Sequence, residues 1–308
     1  MLRRAAARLT RQYKTAFWAD KEDNMRRLGG KEVSESITEG LKPVIEELSG
    51  KGITPTLGVL RVGERGDDLA YERGLLKKFE SCGAGVSVTV LDAECSQEEL
   101  DAAFDKMNAD SGVHGILVFR PLPKHLTDNH IIETIDPGKD VDFMNSRNLA
   151  GVLEGRKDVA APCTAEAVIS LIHHYGIETK GKKAVVIGRS LVIGKPVTLL
   201  LITENATVTV CHTKTADIKA ECKAADIIVA CCGVAKMVTP DFVREGQIVI
   251  DVGMNVDSEG KLCGDVDYDA VSPIVDAITP VPGGVGSVTT SVLLKHVVDN
   301  CVKTCGAL

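Results

Sequence analysis

The sequence has few aromatic residues and no long hydrophobic segment. Aromatic side chains make up 4% of its 308 residues, although hydrophobic residues as a whole make up 44%. This balance suits buried parallel strands better than an all-β sandwich. No segment approaches the roughly 18 consecutive apolar residues of a transmembrane helix. A positive net charge is also lacking, since the formal charge is −7. We therefore expect neither a membrane nor a nucleic acid as a partner.

The ten cysteines include no C-x-x-C pair. Several of them, such as Cys211 and Cys263, lie in or near apolar segments, where cysteine behaves as a small hydrophobic residue. This arrangement predicts no bound metal and a reducing compartment.

The first 19 residues contain no acidic residue, and their five cations lie opposite an apolar face at helical spacing. The cations are Arg3, Arg4, Arg8, Arg11 and Lys14. This composition is typical of a mitochondrial presequence, which we predict for residues 1–27. The alternative is a disordered basic terminus on a cytoplasmic protein.

Helical and strand patterns alternate along the rest of the chain. Strands are predicted at 56–62, 86–91 and 113–119, and a second series at 182–187, 206–211, 227–230 and 248–252. Strands separated by helices predict parallel sheets and an α/β fold. We expect a first domain over residues 28–160 and a Rossmann-type dinucleotide-binding domain over residues 161–287.

A glycine-containing loop joins the strand at 182–187 to the next helix. Gly188 ends the strand and Gly194 begins the helix, with Arg189 and Ser190 between them. Such a turn presents backbone N–H groups and a helix N-terminus to a phosphate. The spacing is not G-x-G-x-x-G, so an ordinary βα turn is the alternative. The strand–turn–helix context favours a dinucleotide site.

The next strand indicates which dinucleotide binds. NAD sites place an acid after this strand to accept hydrogen bonds from the ribose hydroxyls. Here the strand continues into His212, Thr213 and Lys214, with no acid. Together with Arg189, these side chains suit a 2′-phosphate. We therefore predict NADP, with NAD less favoured, unless Arg189 and Lys214 are merely solvated.

Many ordered motifs resemble the methylenetetrahydrofolate dehydrogenase/cyclohydrolase family of the FolD type, over residues 28–298. They are Gly30-Lys31, Pro121 to His125, Lys139 to Asp142, Pro162-Cys163-Thr164, Ile187 to Ser190 with Gly194 and Pro196, Ala206 to His212, Ile250 to Asn255, Gly264-Asp265-Val266 and Thr279 to Gly286.

The resemblance implies an enzyme that oxidises 5,10-methylenetetrahydrofolate with a nicotinamide nucleotide. It further implies two lobes around a cleft, a final helix at 288–304 that returns to the first lobe, and a homodimer. Asp142 matches the carboxylate that holds the pterin, and Tyr71 matches the tyrosine beside the reacting carbon. Taken alone, Asp142 could be a loop cap and Tyr71 a helix-surface residue.

Further ligand-binding residues follow from the same resemblance. The segment Pro282, Gly283 and Gly284 would let the backbone approach both ligands, since glycine tolerates unusual conformations. Thr289 matches a cofactor-binding threonine, although the family's preceding proline is missing. A purely structural loop is the alternative reading of this segment.

Two positions depart from the family pattern. The lysine four residues after the tyrosine is Leu75 here, and the glutamine that pairs with it is Phe119. An amine in that place can manage protons during hydrolysis of the methenyl product, which leucine cannot do. Lys78 is a weak candidate to replace it, because it lies near the helix face of Tyr71 but about 10 Å further along the axis.

We therefore predict an NADP-dependent dehydrogenase whose cyclohydrolase activity is weak or absent. One alternative is a bifunctional enzyme that keeps both steps. Another is a non-catalytic relative that only binds folate and nucleotide. We also expect Arg120 to point away from the site, because it adjoins Phe119 on a strand, where neighbouring side chains alternate in direction.

Overall fold

The computed structural model describes residues 26–156 and 159–306. Most of the segment predicted as a presequence therefore lies outside the described residues. The chain divides into two compact units, which we name by their sheets. The six-stranded unit contains residues 26–34 and Thr164–Thr289. The three-stranded unit contains Glu35–Cys163 and the chain from Thr290 onwards.

The three-stranded unit is a small parallel sheet covered by helices. Its strands β2 (Thr56–Val62), β3 (Gly85–Leu91) and β4 (Gly115–Val118) lie in the order β3-β2-β4. The helices are α1 (Gly30–Gly50), which starts in the other unit, α2 (Gly66–Glu80), α3 (Gln97–Ala109), α4 (Asn129–Thr134) and α5 (Ser146–Leu153). Helix α3 begins with a capping box of Ser96 and Glu99, in which Ser96 Oγ accepts from the Glu99 N–H at 3.2 Å.

Side chains of the last helix complete the core of the three-stranded unit. Leu294, Val297 and Cys301 are buried against Leu57 and Leu75 in one apolar cluster. Burying such side chains stabilises the fold by roughly 1.5–3 kcal/mol each. The carboxyl-terminal residues therefore belong to this unit although they follow the other one in sequence.

The six-stranded unit is a fully parallel sheet in the order β1-β11-β8-β7-β5-β6. Its strands are β1 (Arg26–Arg27), β5 (Lys183–Ile187), β6 (Thr207–Cys211), β7 (Ile227–Ala230), β8 (Ile248–Asp251) and β11 (Ala277–Ile278), and β9 (Asn255–Val256) and β10 (Leu262–Cys263) form a separate hairpin. Its helices are α6 (Cys163–His174), α7 (Gly194–Thr203), α8 (Ile218–Ala224), α9 (Tyr268–Val271) and the start of α10 (Gly286–Cys305).

Strand order in the six-stranded unit reverses at β5. The chain runs from β5 to β6 on one side and then returns to β7 and β8 on the other. In open α/β sheets, ligands bind beyond the carboxyl ends of the strands at this reversal. The loop that follows β5 therefore has the position of a ligand site.

The structure confirms the α/β class and the parallel sheets, but it differs from the sequence-based boundaries. Residues 28–34 belong to the six-stranded unit, because β1 pairs with β11 and the Leu28 N–H donates to Ile278 O at 2.8 Å. Strand β4 ends at Val118, so Phe119 lies beyond it. Within the described ranges, every helix is too short or too polar to span a bilayer.

Candidate functional site

The loop after β5 depends on two glycines. Gly188 has φ of +135°, and a Cβ there would lie 2.4 Å from Cys231 O. A Cβ at Gly194 would lie 2.5 Å from Gly188 O, because helix α7 starts against the end of the strand. Any side chain at either position would force the loop to open. Both glycines singled out in the sequence thus serve the close packing of strand, loop and helix.

The same loop offers unpaired hydrogen-bond donors. Ser190 Oγ accepts from the backbone N–H groups of Ile193 at 3.1 Å and Gly194 at 3.3 Å, which closes the turn. The backbone N–H groups of Arg189, Leu191 and Val192 make no hydrogen bond to other described residues. Successive free N–H groups before a helix form an anion-binding concavity. The loop therefore fits a phosphate-bearing ligand.

A compact polar turn follows β6. The His212 N–H donates to Thr215 Oγ1 at 2.9 Å, and His212 Nδ1 accepts from the Lys214 N–H at 3.1 Å. Thr213 and Lys214 are exposed, as is Arg189 on the neighbouring loop. The turn holds no carboxylate. The cationic side chains are therefore available to an anionic group beside the sheet edge.

Two buried carboxylates join the strand ends of the six-stranded unit. Asp251 accepts the backbone N–H groups of Gly253 at 2.9 Å, Asp265 at 3.0 Å and Val266 at 2.9 Å. Burial raises the pKa of Asp251 to about 6, against the effect of these hydrogen bonds. A Cβ at Gly264 would overlap Asp251 Oδ2, which explains the glycine there.

Asp265 is fully buried and has four donors of its own. It accepts the backbone N–H groups of Cys232 at 2.6 Å, Gly233 at 3.0 Å and Val234 at 2.9 Å, and Asn255 Nδ2 at 2.9 Å. These contacts fix the loop after β7 against Asp265, which follows strand β10. The sequence motifs contained Asp251 and Asp265 without assigning either a role. Their hydrogen bonds to backbone N–H groups in the folded chain show that both carboxylates are structural.

The glycine segment before α10 packs on the start of α1. The Gly30 N–H donates to Gly283 O at 2.8 Å, and a Cβ at Gly30 would overlap Gly284 O. Gly283 has φ of +100°, which favours glycine. Thr289 Oγ1 donates to Gly286 O at 3.0 Å inside the first turn of α10. Close backbone packing thus accounts for the Gly30-Lys31 motif and for Gly283 and Gly284, whatever ligand they contact.

Tyr71, Leu75 and Phe119 meet in the three-stranded unit. Leu75 lies one helical turn after Tyr71 on α2 and is fully buried, and Phe119 is buried in the same apolar cluster. The Tyr71 and Phe119 rings lie 5.6 Å apart. Tyr71 itself is 45% exposed. Leu75 and Phe119 belong to one buried cluster. A lysine at 75 or a glutamine at 119 would therefore need the other as its hydrogen-bond partner, because a single buried polar group is destabilising.

Tyr71 is a neutral phenol in this environment. Burial of its hydroxyl raises its pKa to about 12, with smaller effects of Cys163 and Asp142. It therefore keeps its proton throughout the neutral range and can donate a hydrogen bond. Lys78, three residues after Leu75, instead donates from Nζ to Thr38 Oγ1 on α1 at 2.7 Å.

Arg120 does not point away from this site, contrary to the sequence-based expectation. Its guanidinium donates from Nη2 to Asp142 Oδ2, and Nη1 lies 3.7 Å from Asp128 Oδ2. The expectation assumed that the strand continued, but β4 ends at Val118 and the chain then turns at Pro121. The alternation of side chains along a strand does not apply beyond its end.

Asp140 and Asp142 have different surroundings although they are two residues apart. Asp140 is buried and accepts the N–H groups of Met144 at 3.0 Å and Asn145 at 2.9 Å, which closes the following loop. Asp142 is half-buried and pairs with Arg120. Phe143 follows with φ of +59°, an unusual conformation for a bulky residue. The loop-capping alternative thus describes Asp140, whereas Asp142 is directed towards Arg120.

A separate group of potential metal ligands lies at the end of α10. Among the described residues, only His114, Cys301 and Cys305 form such a group, with ligand atoms within 4.8 Å of one another. His114 Nδ1 accepts the Thr56 N–H at 3.2 Å, so the neutral ring carries its proton on Nε2. That proton faces Cys305 Sγ at 4.0 Å and leaves no lone pair for a metal. These three residues therefore form a cluster of two thiols and an imidazole, in which His114 and Cys305 are hydrogen-bonded.

Comparison with known proteins assigns both units. A family model for the tetrahydrofolate dehydrogenase/cyclohydrolase catalytic domain matches residues 28–142, and one for the NAD(P)-binding domain matches residues 162–305. The bifunctional protein FolD of Clostridioides difficile is 50% identical over 272 residues, which cover 88% of this chain and 95% of that protein.

Solved structures agree with these matches. The bifunctional FolD methylenetetrahydrofolate dehydrogenase/cyclohydrolase of Campylobacter jejuni is 39% identical, with a TM-score of 0.87 over 91% of this chain and 99% of that one. The Trypanosoma brucei dehydrogenase-cyclohydrolase, solved with NADP and an inhibitor, is 34% identical, with a TM-score of 0.85 over 92% and 99% of the two chains.

The predicted mitochondrial location is wrong. The curated relatives at 49–50% identity are FolD proteins of bacteria, which have no mitochondria. A short basic, acid-poor terminus is a compositional signal only, and composition does not distinguish a presequence from other basic termini.

Proposed function

This chain belongs to the tetrahydrofolate dehydrogenase/cyclohydrolase family of enzymes, and on that premise we propose that it oxidises 5,10-methylenetetrahydrofolate to the methenyl compound with NADP+. NADP+, when bound, accepts the hydride at its nicotinamide ring. The family membership sets aside a non-catalytic binding protein. The glycine loop at the strand reversal, with its unpaired N–H groups, is the observation that carries the proposal.

The nucleotide is assigned to the six-stranded unit. The N–H groups of the loop between Gly188 and Gly194 bind its phosphates, and the N-terminus of α7 adds favourable electrostatics. Ser190 keeps the turn closed through its two hydrogen bonds. His212 and Thr213 line the end of β6, and Thr289 lies in the first turn of α10. The role of each of these residues can be tested by substituting it.

The folate is assigned to the three-stranded unit, where Asp142 and Tyr71 are the binding and catalytic residues. An ionised Asp142 accepts two N–H bonds from the amidine edge of the pterin. Tyr71, neutral and partly exposed, supplies a donor and an aromatic surface. Hydride transfer relies on holding the two reactants in place and needs no general base at Leu75. For Pro282, Gly283 and Gly284, which belong to the six-stranded unit, we propose a substrate-binding role on the family resemblance alone.

NADP is proposed over NAD because of charge. Arg189, in the loop after β5, and Thr213 and Lys214, in the turn after β6, are exposed. The turn after β6 contains no acid that could accept hydrogen bonds from a 2′-hydroxyl. The test is the reduction of NADP and NAD in parallel with methylenetetrahydrofolate as the donor. We expect kcat/KM to be at least about 10-fold higher with NADP, the size of a charge-assisted hydrogen bond. Equal values, or a preference for NAD, would refute the assignment.

We further propose that the second family activity, hydrolysis of the methenyl product, is weak in this chain. The relatives are named bifunctional, but here an aliphatic and an aromatic side chain fill the places of the lysine and its glutamine. Lys78, the weak substitute, is engaged by Thr38. Hydrolysis of methenyltetrahydrofolate by the purified protein, above the spontaneous rate, tests this directly. A rate similar to dehydrogenation would support the bifunctional alternative.

A homodimer is proposed from the exposed hairpin of the six-stranded unit. Val256 and Leu262 on β9 and β10 are 61% and 54% exposed, and Met254 beside them is also exposed. Contiguous exposed apolar side chains are typical of contact surfaces. Light scattering after size-exclusion chromatography should give twice the chain mass. The double substitution Val256→Lys and Leu262→Lys should give a monomer, whereas an unchanged mass would place the interface elsewhere.

A further inference from the structure

Arg120 is the residue near the proposed folate carboxylate that the family pattern does not explain. Its guanidinium lies on Asp142 Oδ2 and within 3.7 Å of Asp128 Oδ2, so it bridges two acids of the three-stranded unit. The Arg120 and Asp142 side chains are 35% and 30% exposed. Both side chains are thus partly shielded from solvent, and the pair need not contribute much to stability to orient Asp142.

Two opposing effects act on the charge of Asp142. Burial raises its pKa, Arg120 opposes that rise by its charge and its hydrogen bond, and Asp140 adds to the rise. Tyr71 on α2 is neutral because burial raises its own pKa to about 12. Cys163, whose Sγ lies 3.5 Å from Val141 O, also acts on Tyr71 and supplies no cation. Of Arg120 and Asp140, only Arg120 favours the ionised form of Asp142.

The ion pair is compatible with a bound pterin. A carboxylate has about four lone-pair directions on its two oxygens. Arg120 uses one of those on Oδ2, which leaves Oδ1 and the other side of Oδ2 for the two N–H groups of an amidine edge. A guanidinium has five donors in a fixed plane and does not lose its charge at neutral pH. It can therefore stay in place while the folate binds.

We propose that Arg120 is a positioning residue, which keeps Asp142 ionised and oriented for the pterin and remains bound to it when the folate docks. This rests on the proposed folate role of Asp142. It makes Arg120 a determinant of folate affinity and of its pH dependence, with little effect on the hydride-transfer step.

The experiment is the dissociation constant of tetrahydrofolate from about pH 5.5 to 8, for the wild type, Arg120→Leu, Arg120→Lys and Asp142→Asn. Arg73→Leu, on the exposed face of α2, is the matched loss of one charge. Arg120→Leu should weaken binding by about 10-fold at pH 7, as expected for loss of a charge-assisted contact. Binding should weaken further as the pH falls, because Asp142 then gains a proton at a higher pH than in the wild type.

The other variants give the remaining outcomes. Arg120→Lys should recover part of the affinity and the wild-type pH dependence, since it keeps the charge but loses the planar fork. Asp142→Asn should bind weakly and without the acid-side pH dependence. Initial rates should show a raised KM and a nearly unchanged kcat for Arg120→Leu.

Two results would contradict the proposal in distinguishable ways. If Asp142→Asn weakens binding but Arg120→Leu behaves like Arg73→Leu, Arg120 is only a surface ion-pair partner and the folate site stands. If Asp142→Asn binds as tightly as the wild type, the folate role of Asp142 fails and the role of Arg120 fails with it.

Discussion

In the six-stranded unit, the features that suit a nucleotide belong to the backbone, whereas in the three-stranded unit the features that decide the folate chemistry are side chains. The loop after β5 needs glycines at 188 and 194 because strand, loop and helix touch there. On α2, the backbone would accept a lysine or a leucine at position 75 equally well. The loop after β5 is thus constrained by packing, whereas on the proposed function two substitutions in the three-stranded unit weaken one activity and leave the fold intact.

The largest effect should come from the backbone site. Gly188→Ala places a Cβ 2.4 Å from Cys231 O at φ of +135°, so the loop has to move away from the sheet. We expect NADP binding to weaken by at least about 100-fold, because phosphate contacts depend on the position of the N–H groups. Equilibrium NADP binding measures it.

Gly181→Ala is the matched control, since Gly181 also has positive φ (+76°) but open space around a Cβ. It should cost a little stability and leave the affinity for NADP unchanged. If Gly188→Ala binds NADP like the wild type, the loop does not hold the phosphates.

Substitution of two aspartates should distinguish a structural carboxylate from a ligand-binding one. Asp265→Asn turns an amide donor towards some of the four donors that Asp265 accepts, and we expect it to lower the free energy of unfolding by about 2–4 kcal/mol. Asp142→Asn should change stability by less than about 1 kcal/mol, since its partner is half-exposed. Urea unfolding followed by circular dichroism compares them. Equal destabilisation would erase the distinction between the two carboxylates.

Restoring the lysine and glutamine of the family pattern should increase the hydrolysis of methenyltetrahydrofolate. Leu75→Lys combined with Phe119→Gln places an amine and its hydrogen-bond partner beside Tyr71, and we expect hydrolysis of methenyltetrahydrofolate to rise about 10-fold or more. Leu75→Lys alone should be less stable and less active, because it buries an unpaired ammonium. Leu75→Met is the apolar control. A double variant no faster than the wild type would show that these positions do not limit hydrolysis.

A further prediction is a pH dependence of stability in the six-stranded unit. The pKa of Asp251 is about 6 in the folded protein and near 4 when unfolded. Its raised pKa contributes stability below about pH 4 that is lost as the pH rises through 6. The stability difference between the wild type and Asp251→Asn should therefore shrink by about 1–3 kcal/mol over that range. A difference that is constant with pH would mean that Asp251 does not titrate there.

Much of the fold could be predicted from the sequence because its elements have strong local signals. Strands Thr56–Val62 and Ile227–Ala230 lie where the pattern placed them. Strands β1 and β11 could not be found, because two-residue strands have no periodicity and depend on pairing between distant segments. The packing of residues 28–34 against the six-stranded sheet was not visible for the same reason.

The candidate site was predictable in part. Motifs singled out Gly188, Tyr71 and Asp142 as candidates and Leu75 and Phe119 as departures, and the structure brings Tyr71 and Phe119 together. The contact between Arg120 and Asp142 was not, because it depends on where β4 ends and how the chain turns. Asp251 and Asp265 were visible as acids, but their structural role lies in backbone donors that only the folded chain brings together.

The ratio of methenyltetrahydrofolate to NADPH formed during oxidation of methylenetetrahydrofolate tests the proposed function most directly. Both products can be followed by absorbance in one reaction of the purified enzyme with NADP, corrected for spontaneous hydrolysis. With Leu75 and Phe119 in place, the two should accumulate in nearly equal amounts. NADPH formation with little methenyltetrahydrofolate would show that the enzyme hydrolyses its product. An absence of NADPH would contradict the NADP-dependent dehydrogenase itself.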